Sequence, residues 1–219
     1  MNNFKMGMKL MTYSVGFKRQ ILLAVFFVLL GAAMEVLTGC SNVLGGFYIA
    51  IVGSLPAQML LLVTVPNVCK SSPKFHQICV QMYSIINFLC ELLGFTIVVI
   101  IHTIFAYIHP ENADANFSIV LILGATVCLT QFISPLMYKH YWVAFFLLMG
   151  SIMALFMPLG DYIYGDKSFH LATWIYFVGG YGFVVLGLFA GILVNSLFYK
   201  KELDPMTYKS MMKKFDGSM

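Results

Sequence analysis

The sequence predicts an all-α, polytopic integral membrane protein with six transmembrane helices and both termini in the cytoplasm. Three observations predict this class. First, apolar residues make up 60% of the 219 residues and charged residues only 10%, whereas an average globular domain has about 25% charged residues. Second, the apolar residues form long continuous runs instead of the alternating segments of a membrane β-barrel. Third, the basic residues lie in alternate connecting segments. This composition excludes a soluble globular fold, a disordered chain and a nucleic-acid-binding protein.

Each predicted span has about the length needed to cross a hydrocarbon core roughly 30 Å thick. The six spans run approximately over residues 21–38, 47–66, 81–108, 118–137, 141–158 and 172–198. The chain therefore divides into an N-terminal interfacial segment (1–20), a transmembrane domain (21–198) and a basic tail (199–219). In the last span Gly187 and Gly191 form a GxxxG pattern, which we expect to pack against another helix of the same chain.

The orientation follows from the positions of the cations. Twelve of the 13 Lys and Arg residues lie on one side of a six-span arrangement. The exception is Lys167, which lies near Asp161 and Asp166 on the other side. Because the cytoplasmic loops of membrane proteins are enriched in Lys and Arg, we expect both termini to be cytoplasmic. The predicted location is the cell (plasma) membrane, as a multi-pass protein of a bacterium.

Residues 1–20 are too polar to span a membrane, but they are patterned. Phe4, Met8, Met11 and Val15 recur at helical spacing, with lysines beside them. This pattern is typical of an amphipathic helix that lies in the membrane interface and contacts the lipids. The alternative is a disordered basic tail.

The string Leu37-Thr38-Gly39-Cys40 leaves a further alternative open, since it resembles the lipobox of a bacterial lipoprotein signal. Cleavage before Cys40 would leave five spans and a lipidated external N-terminus. Glu35 inside the apolar run and the long amphipathic segment before it argue against this processing.

Motifs that carry catalysis or cofactor binding are absent from the sequence. It contains no Gly-Lys dipeptide and hence no Walker A phosphate loop, no H-E-x-x-H pair and no G-x-S-x-G elbow. The five histidines show no metal-ligand spacing, and the five cysteines form no C-x-x-C pair and are expected to be free thiols. We therefore expect no catalytic, metal or cofactor-binding residues, no enzymatic activity, and ATP hydrolysis only in a partner.

Polar residues inside the predicted spans are candidates for a translocation path or a subunit interface, because a buried charge in a bilayer costs at least a few kcal/mol. Glu91 lies in the third span, with Asn87 one turn before it and His102 about three turns after it on the same face. Gln58 in the second span is a further candidate. Glu35 lies near the outer end of the first span and is expected to reach the head groups. The alternative for Glu91 is a neutral acid that joins helices by hydrogen bonds.

The second connector, residues 67–77, is the most suggestive polar segment. Ser72 followed by Pro73 is a helix-start pattern, and Lys70 and Lys74 make the segment basic. It predicts a short basic helix on the cytoplasmic side. This segment is either a positively charged topological stop or the contact through which a membrane subunit receives motion from a cytoplasmic motor.

This organisation resembles the membrane-spanning (permease) subunit of ABC-2-type exporters. The most similar stretches are Ser71-Ser72-Pro73-Lys74 after the second span and residues 199–204 after the sixth, and the likeness in architecture covers the whole chain. The family often has re-entrant helices before the sixth span. Here the connector 159–171 has room only for a short re-entrant turn.

The resemblance implies a permease that moves an amphipathic or lipidic substrate, with the export of an antimicrobial or toxin peptide, or immunity to it, as one example. It implies a separate cytoplasmic ATPase subunit and a second permease subunit in a homo- or heterodimer. The ATPase contact would be formed by Lys70, Ser72, Pro73 and Lys74. Two other classes stay open: a membrane-embedded enzyme that uses Glu91 and His102 as acid and base, and a secondary transporter or channel in which Glu91 is a proton-linked site.

Overall fold

A computed structural model describes residues 3–14, 17–53, 55, 59–60, 71–164, 166–202, 204–205 and 209. Within these segments every regular element is helical. The α-helices are α1 (Asn3–Thr12), α2 (Phe17–Leu37), α3 (Leu44–Gly53), α4 (Tyr83–Ile108), α5 (Ala113–Lys139), α6 (Tyr141–Ile163) and α7 (Thr173–Phe198). Six residues of π-helix, Gln77–Met82, lead directly into α4, and a 3₁₀ turn, Pro110–Asn112, precedes α5.

Among the described residues, four helical stretches are long and apolar enough to cross a membrane, as expected of a membrane protein: Phe17–Leu37, Gln77–Ile108, Pro110–Met137 and Thr173–Phe198. They correspond to the first, third, fourth and sixth predicted spans. The second predicted span begins as α3 and continues outside the described residues. The fifth corresponds to α6, which counts as a span only if its two bent parts are taken together.

Helix α6 is bent by 61° between Tyr141–Leu155 and Met157–Ile163. Pro158 lies just after the break. Proline removes a backbone donor, and its ring clashes with the carbonyl group of the residue four positions earlier, so a helix kinks on the N-terminal side of a proline. The fifth predicted span ends at Pro158, whereas α6 continues to Ile163 in a new direction.

Helices α5 and α7 share the most extensive interface between the described helices. Glycines permit it: a Cβ atom on Gly124 would lie 2.7 Å from the backbone Cα and O atoms of Gly180. Further along, Gly187 and Gly191 lie against Gln131 of α5. The GxxxG pattern therefore packs within the chain, as predicted.

A second close pair is formed by α2 and α3. A Cβ atom on Gly31 of α2 would lie 2.6 Å from the carbonyl oxygen of Gly45 in α3. The main hydrophobic core lies between α3, α4, α5 and α7, with Ile49, Phe95, Leu123 and Val184 fully or nearly fully buried.

One end of the bundle, called the basic end below, gathers α1, the segment before α4, and the last turn of α7. Met11 of α1 packs with Ile78 and Met82. The ring of Tyr199 lies 4.6 Å from that of His76, centroid to centroid. The basic residues at this end are Lys5, Lys9, Lys18, Arg19, Lys74, Lys139, Lys200 and Lys201.

The opposite end, called the acidic end, contains a wide pocket lined by Glu111, Asp114 and Asp166 together with Lys167 and His170. The separation of charge seen in the sequence is thus a separation in space. The prediction that residues 1–20 form a helix is confirmed for Asn3–Thr12. That α1 lies in the membrane interface and that the termini are cytoplasmic stay predictions.

Glycine 124 provides a direct test of the α5–α7 interface. Gly124→Ala forces a methyl group against the backbone of Gly180, which has no rotamer with which to move away. We expect the purified protein to lose about 1–3 kcal/mol of stability, the usual cost of overpacking, seen as a lower melting temperature in detergent. The control is Gly182→Ala in α7, where an added Cβ has no neighbour within 4 Å among the described residues. Equal melting temperatures for the two variants would contradict this packing.

Candidate functional site

Helix α4 carries a buried polar face along most of its length. Ser84, Asn87, Glu91 and His102 on this face are all buried. Glu91 and His102 are eleven residues apart, close to three full turns, so they share one side of the helix about 16 Å apart along its axis. The shared face was predicted from the sequence. The structure shows that it serves two separate polar clusters.

The first cluster surrounds Glu91, whose side chain is completely buried. The hydroxyl of Thr130 in α5 donates a hydrogen bond to Glu91 Oε1 over 3.4 Å. The side chains of Asn87 and Gln131 lie beside the same carboxyl group. Glu91 Oε2 has no hydrogen-bond partner among the residues that the structure describes. The carboxyl group is therefore held at one oxygen and unsatisfied at the other.

From Glu91 toward the basic end, polar contacts tie three helices together. The hydroxyl groups of Tyr83 in α4 and Ser134 in α5 share a hydrogen bond of 2.9 Å. Asn195 Nδ2 in α7 donates to Ser84 Oγ over 3.0 Å. The crevice between these helices is too narrow to hold a water molecule. In this conformation the polar face is closed and acts as a helix–helix contact.

The second cluster begins at the end of α2, where the chain turns sharply. The amide of Cys40 donates to the carbonyl oxygen of Glu35 over 2.8 Å, and the amide of Gly39 donates to that of Val36 over 3.2 Å. These two bonds, with Gly39 in the left-handed region at φ +63°, are the Schellman motif that ends many helices. Cys40 follows with φ +56°, which is uncommon for a residue other than glycine. Its side chain is buried against Glu35.

The carboxyl group of Glu35 meets His102 across the bundle. Glu35 Oε2 lies 3.5 Å from His102 Nε2, and both side chains are completely buried. The other carboxyl oxygen, Oε1, accepts a hydrogen bond from the amide of Gly46 in α3. His102 Nδ1 lies 3.3 Å from Asn116 Oδ1 in α5. Since an amide oxygen only accepts, Nδ1 carries the proton and the lone pair of Nε2 points at Glu35.

This geometry corrects one expectation. Glu35 does not reach the lipid head groups, because the approach of α3 to α2 and the position of α4 enclose it. That the chain has no metal-ligating residues stays a prediction. Glu35, Cys40 and His102 form a buried group whose possible ligand atoms all lie within 4.8 Å of one another. The missed residues are Cys40 and Asn116. Gly39 is the signal that could have located Cys40, since glycine before it is typical of a helix C-terminus.

The thiol of Cys40 lies outside the spanning helices, and its environment disfavours ionisation. Burial, with the neighbouring Glu35 carboxylate as a second cause, raises the pKa of Cys40 to about 12. The ligand-free thiol is therefore protonated at neutral pH. A buried thiol at a helix C-terminus favours a structural origin for Leu37-Thr38-Gly39-Cys40 over a lipobox.

The expected ATPase contact lies at the basic end. Pro73 and Lys74 are exposed, and the amide of Lys74 donates to Ser72 Oγ over 3.3 Å. Instead of a separate short helix, the described chain shows a helical path from Phe75 through the π-helical segment into α4. Lys70 and Gln58, two further candidates, lie outside the described residues.

Comparison of the chain with protein-family models, with curated proteins and with solved structures finds no match. The functional conclusions below therefore rest on the residues and contacts of this chain.

The burial of Cys40 is tested by its reactivity. In a variant whose other four cysteines are replaced by serine, we expect Cys40 to react with a maleimide at pH 8 at least about 100-fold more slowly than a free thiol, because the reactive species is the thiolate. The matched control places the cysteine one residue later, at exposed Ser41, as Cys40→Ser with Ser41→Cys. Equal labelling rates would show that the α2–α3 turn does not enclose Cys40. Intact mass spectrometry of the same sample reports whether residues 1–39 are retained.

Proposed function

We propose that this protein is the permease subunit of an ABC-2-type exporter, with its basic end in the bacterial cytoplasm and ATP hydrolysed by a separate subunit. The observation that carries the proposal is the construction of the basic end. An exposed segment that carries Lys74 packs against the end of the last helix and leads through six π-helical residues into the helix that carries Glu91.

The exposed segment packs against the C-terminal end of α7. Phe75 and His76 pack on the ring of Tyr199, with centroid separations of 6.4 and 4.6 Å. Pro73 and Lys74, which directly precede them, remain exposed. A partner that binds Pro73 and Lys74 therefore moves a segment already attached to the C-terminal end of α7. A loop that served only as a topological stop has no need of this attachment.

The same segment is connected by helix to the buried Glu91 inside the membrane domain. From Lys74 to Glu91 the chain is helical for nearly its whole length, a distance of about 25 Å at 1.5 Å per residue. The six π-helical residues Gln77–Met82 interrupt the regular hydrogen bonding. Short π-helical segments inside α-helices are frequent at functional sites. A displacement of Lys74 is thus transmitted to Glu91 along one continuous stretch of helix. The π-helical residues Gln77–Met82 are the part of this stretch that can change its hydrogen bonding.

Helix α1 completes this end of the molecule. Met11 is buried with Ile78, Met82 and Tyr83, while Lys5 and Lys9 are exposed. A helix that packs on the base of α4 and presents lysines at the anionic inner leaflet fixes the depth of the base. It supplies the rigid support against which an ATPase subunit can act.

The proposal includes a second permease subunit, because one chain of this size offers only half of a path. Helix α6 contacts α5 as its main neighbour and leaves Trp142, Phe146 and Met153 more than half exposed. An amphipathic or lipidic substrate, such as a small antimicrobial or toxin peptide, suits an entry between two subunits with such faces. The membrane lipids cover the remaining apolar surface.

The permease proposal predicts a stoichiometric ATPase partner. When the tagged chain is purified in mild detergent from its own cells, we expect an ATPase subunit to co-purify and Lys74→Glu to reduce the recovered ATPase at least about tenfold, because the substitution reverses an exposed charge at the contact. The control, Lys167→Glu, reverses a charge at the opposite end and should leave recovery unchanged. A chain that is recovered alone, or equal loss in both variants, would overturn the proposal.

The secondary transporter or channel is the second candidate function, favoured by the unsatisfied Oε2 of Glu91. Proton flux separates the two candidates. In liposomes with a pH-sensitive dye and an imposed membrane potential, we expect the purified chain and Glu91→Gln to give the same background flux. Glutamine retains the shape of the side chain and its hydrogen bond with Thr130, so the variant should fold. Flux in the native chain that Glu91→Gln abolishes would favour a proton-linked transporter instead.

A further inference from the structure

We propose that Glu35, Cys40 and His102 form a site for one Zn²⁺ ion, with Asn116 as the residue that orients His102. The site lies near the acidic end, on residues that the permease proposal does not use, and the two proposals stand or fall separately.

The donor atoms suit zinc. A thiolate, an imidazole and a carboxylate are the three kinds of side chain that bind Zn²⁺ in proteins. With metal–ligand bonds near 2.0–2.3 Å, tetrahedral ligands lie about 3.3–3.8 Å from one another. The 3.5 Å between His102 Nε2 and Glu35 Oε2 already has this value. The Cys40 sulfur lies within 4.8 Å of both, so a movement of at most about 1 Å completes the set.

The two nearest donor atoms require a positive group between them. His102 Nε2 and Glu35 Oε2 each lack a hydrogen-bond partner among the described residues, although both are buried. Each presents a lone pair to the other, because the proton of the imidazole is engaged at Nδ1 by Asn116. A buried pair of facing acceptors is unfavourable unless a proton or a metal ion lies between them. The Cys40 sulfur supplies a third donor within 4.8 Å of both atoms, which one metal ion can bind and one shared proton cannot.

The surroundings of the ligands are already those of a metal site. Metal-bound histidines usually donate their second ring N–H to an oxygen, which fixes the tautomer; here the acceptor is Asn116 Oδ1. The second oxygen of Glu35 is held by the amide of Gly46. Both ligands are thus oriented before any ion arrives, which lowers the entropic cost of binding.

Backbone geometry points Cys40 into the same site. After Gly39, Cys40 also adopts a left-handed conformation, which a side chain with a Cβ atom disfavours. Such strain at a non-glycine residue is a marker of function when the surroundings enforce it. The Schellman motif places the strained residue above Glu35 and turns its side chain inward, where it is buried.

The proposed ion would join α2, the following turn and α4, and through Asn116 also α5. On coordination, the thiol of Cys40 releases its proton to the solvent. Three protein ligands leave one position for a solvent molecule. The ion would hold the ends of these helices together at the acidic end, opposite the exposed Pro73 and Lys74 at the basic end.

Metal titration of the full-length chain tests the site. The protein is purified in detergent with an affinity tag free of histidine, treated with a chelator, and titrated separately with Zn²⁺ and Co²⁺. We expect about one equivalent of Zn²⁺ per chain, and with Co²⁺ a thiolate-to-cobalt charge-transfer band in the near ultraviolet. Cys40→Ser should abolish the band, whereas Cys128→Ser, about 18 Å further along α5 than Asn116, should retain it. Asn116→Ala should weaken metal affinity about 10–100-fold.

The absence of the charge-transfer band in the native chain would overturn the proposal, as would its persistence in Cys40→Ser. Zinc that remains bound in Cys40→Ser at the native affinity would also overturn it, since the ion would then be held elsewhere, for example by Asp114 and His170. The cobalt spectrum of the native chain tests the proposal even if a variant fails to fold. Should Cys40→Ser fail to give a single species on gel filtration, Glu35→Gln takes its place, with a weakened titration as the expected result and an unchanged one as the contrary result.

Discussion

The fold depends on one constraint: polar side chains on α4 are buried in a protein whose surroundings offer no water. In a bilayer the separated state of two helices is already apolar, so burying more hydrocarbon adds little, and packing and hydrogen bonds decide the association. Glu91 is met by Thr130 of α5, and His102 by Asn116 of α5 and by Glu35 of α2. The polar face of α4 thereby determines which helices surround it and at what depth.

Glycines allow the helices around α4 to approach one another closely. Gly124 lies against Gly180 where α5 meets α7, and Gly31 lies against Gly45 where α2 meets α3. The α2–α3 contact has a chemical consequence, because it brings the amide of Gly46 to the carboxyl group of Glu35. Small residues therefore act on the polar cluster as well as on packing, since without them the carboxyl group would have no fixed orientation for His102.

The membrane class and the four spans found among the described residues were predictable because hydrophobicity and length are local properties of the sequence. The common face of Asn87, Glu91 and His102 was predictable for the same reason, since helical periodicity is local. The partners of these residues were not, because Glu35 and His102 are 67 residues apart and meet only through the packing of α2, α3 and α4. The same limit hid the environment of Cys40: the string before it fits a helix C-terminus as well as a lipobox, and the burial of the thiol against Glu35 depends on tertiary contacts. The bend in α6 was missed because Pro158 fits a helix end and a kink equally well.

Helix α4 connects the two proposals physically. At the basic end, α4 follows the segment of Lys74 and Phe75. Its middle carries Glu91, and the part nearer the acidic end carries His102. If an ATPase subunit displaces the base of α4, as the permease proposal requires, the displacement has to be absorbed somewhere along this helix. The π-helical turns Gln77–Met82 offer one place, because their hydrogen bonds can revert to the α-helical pattern. A metal ion at His102 would fix the far end to α2 and to the turn at Cys40, so motion from the base would be confined to the part of α4 around Glu91. On this view the closed polar face at Glu91 is the part of the membrane domain that opens, and the metal ion sets how far the opening extends toward the acidic end.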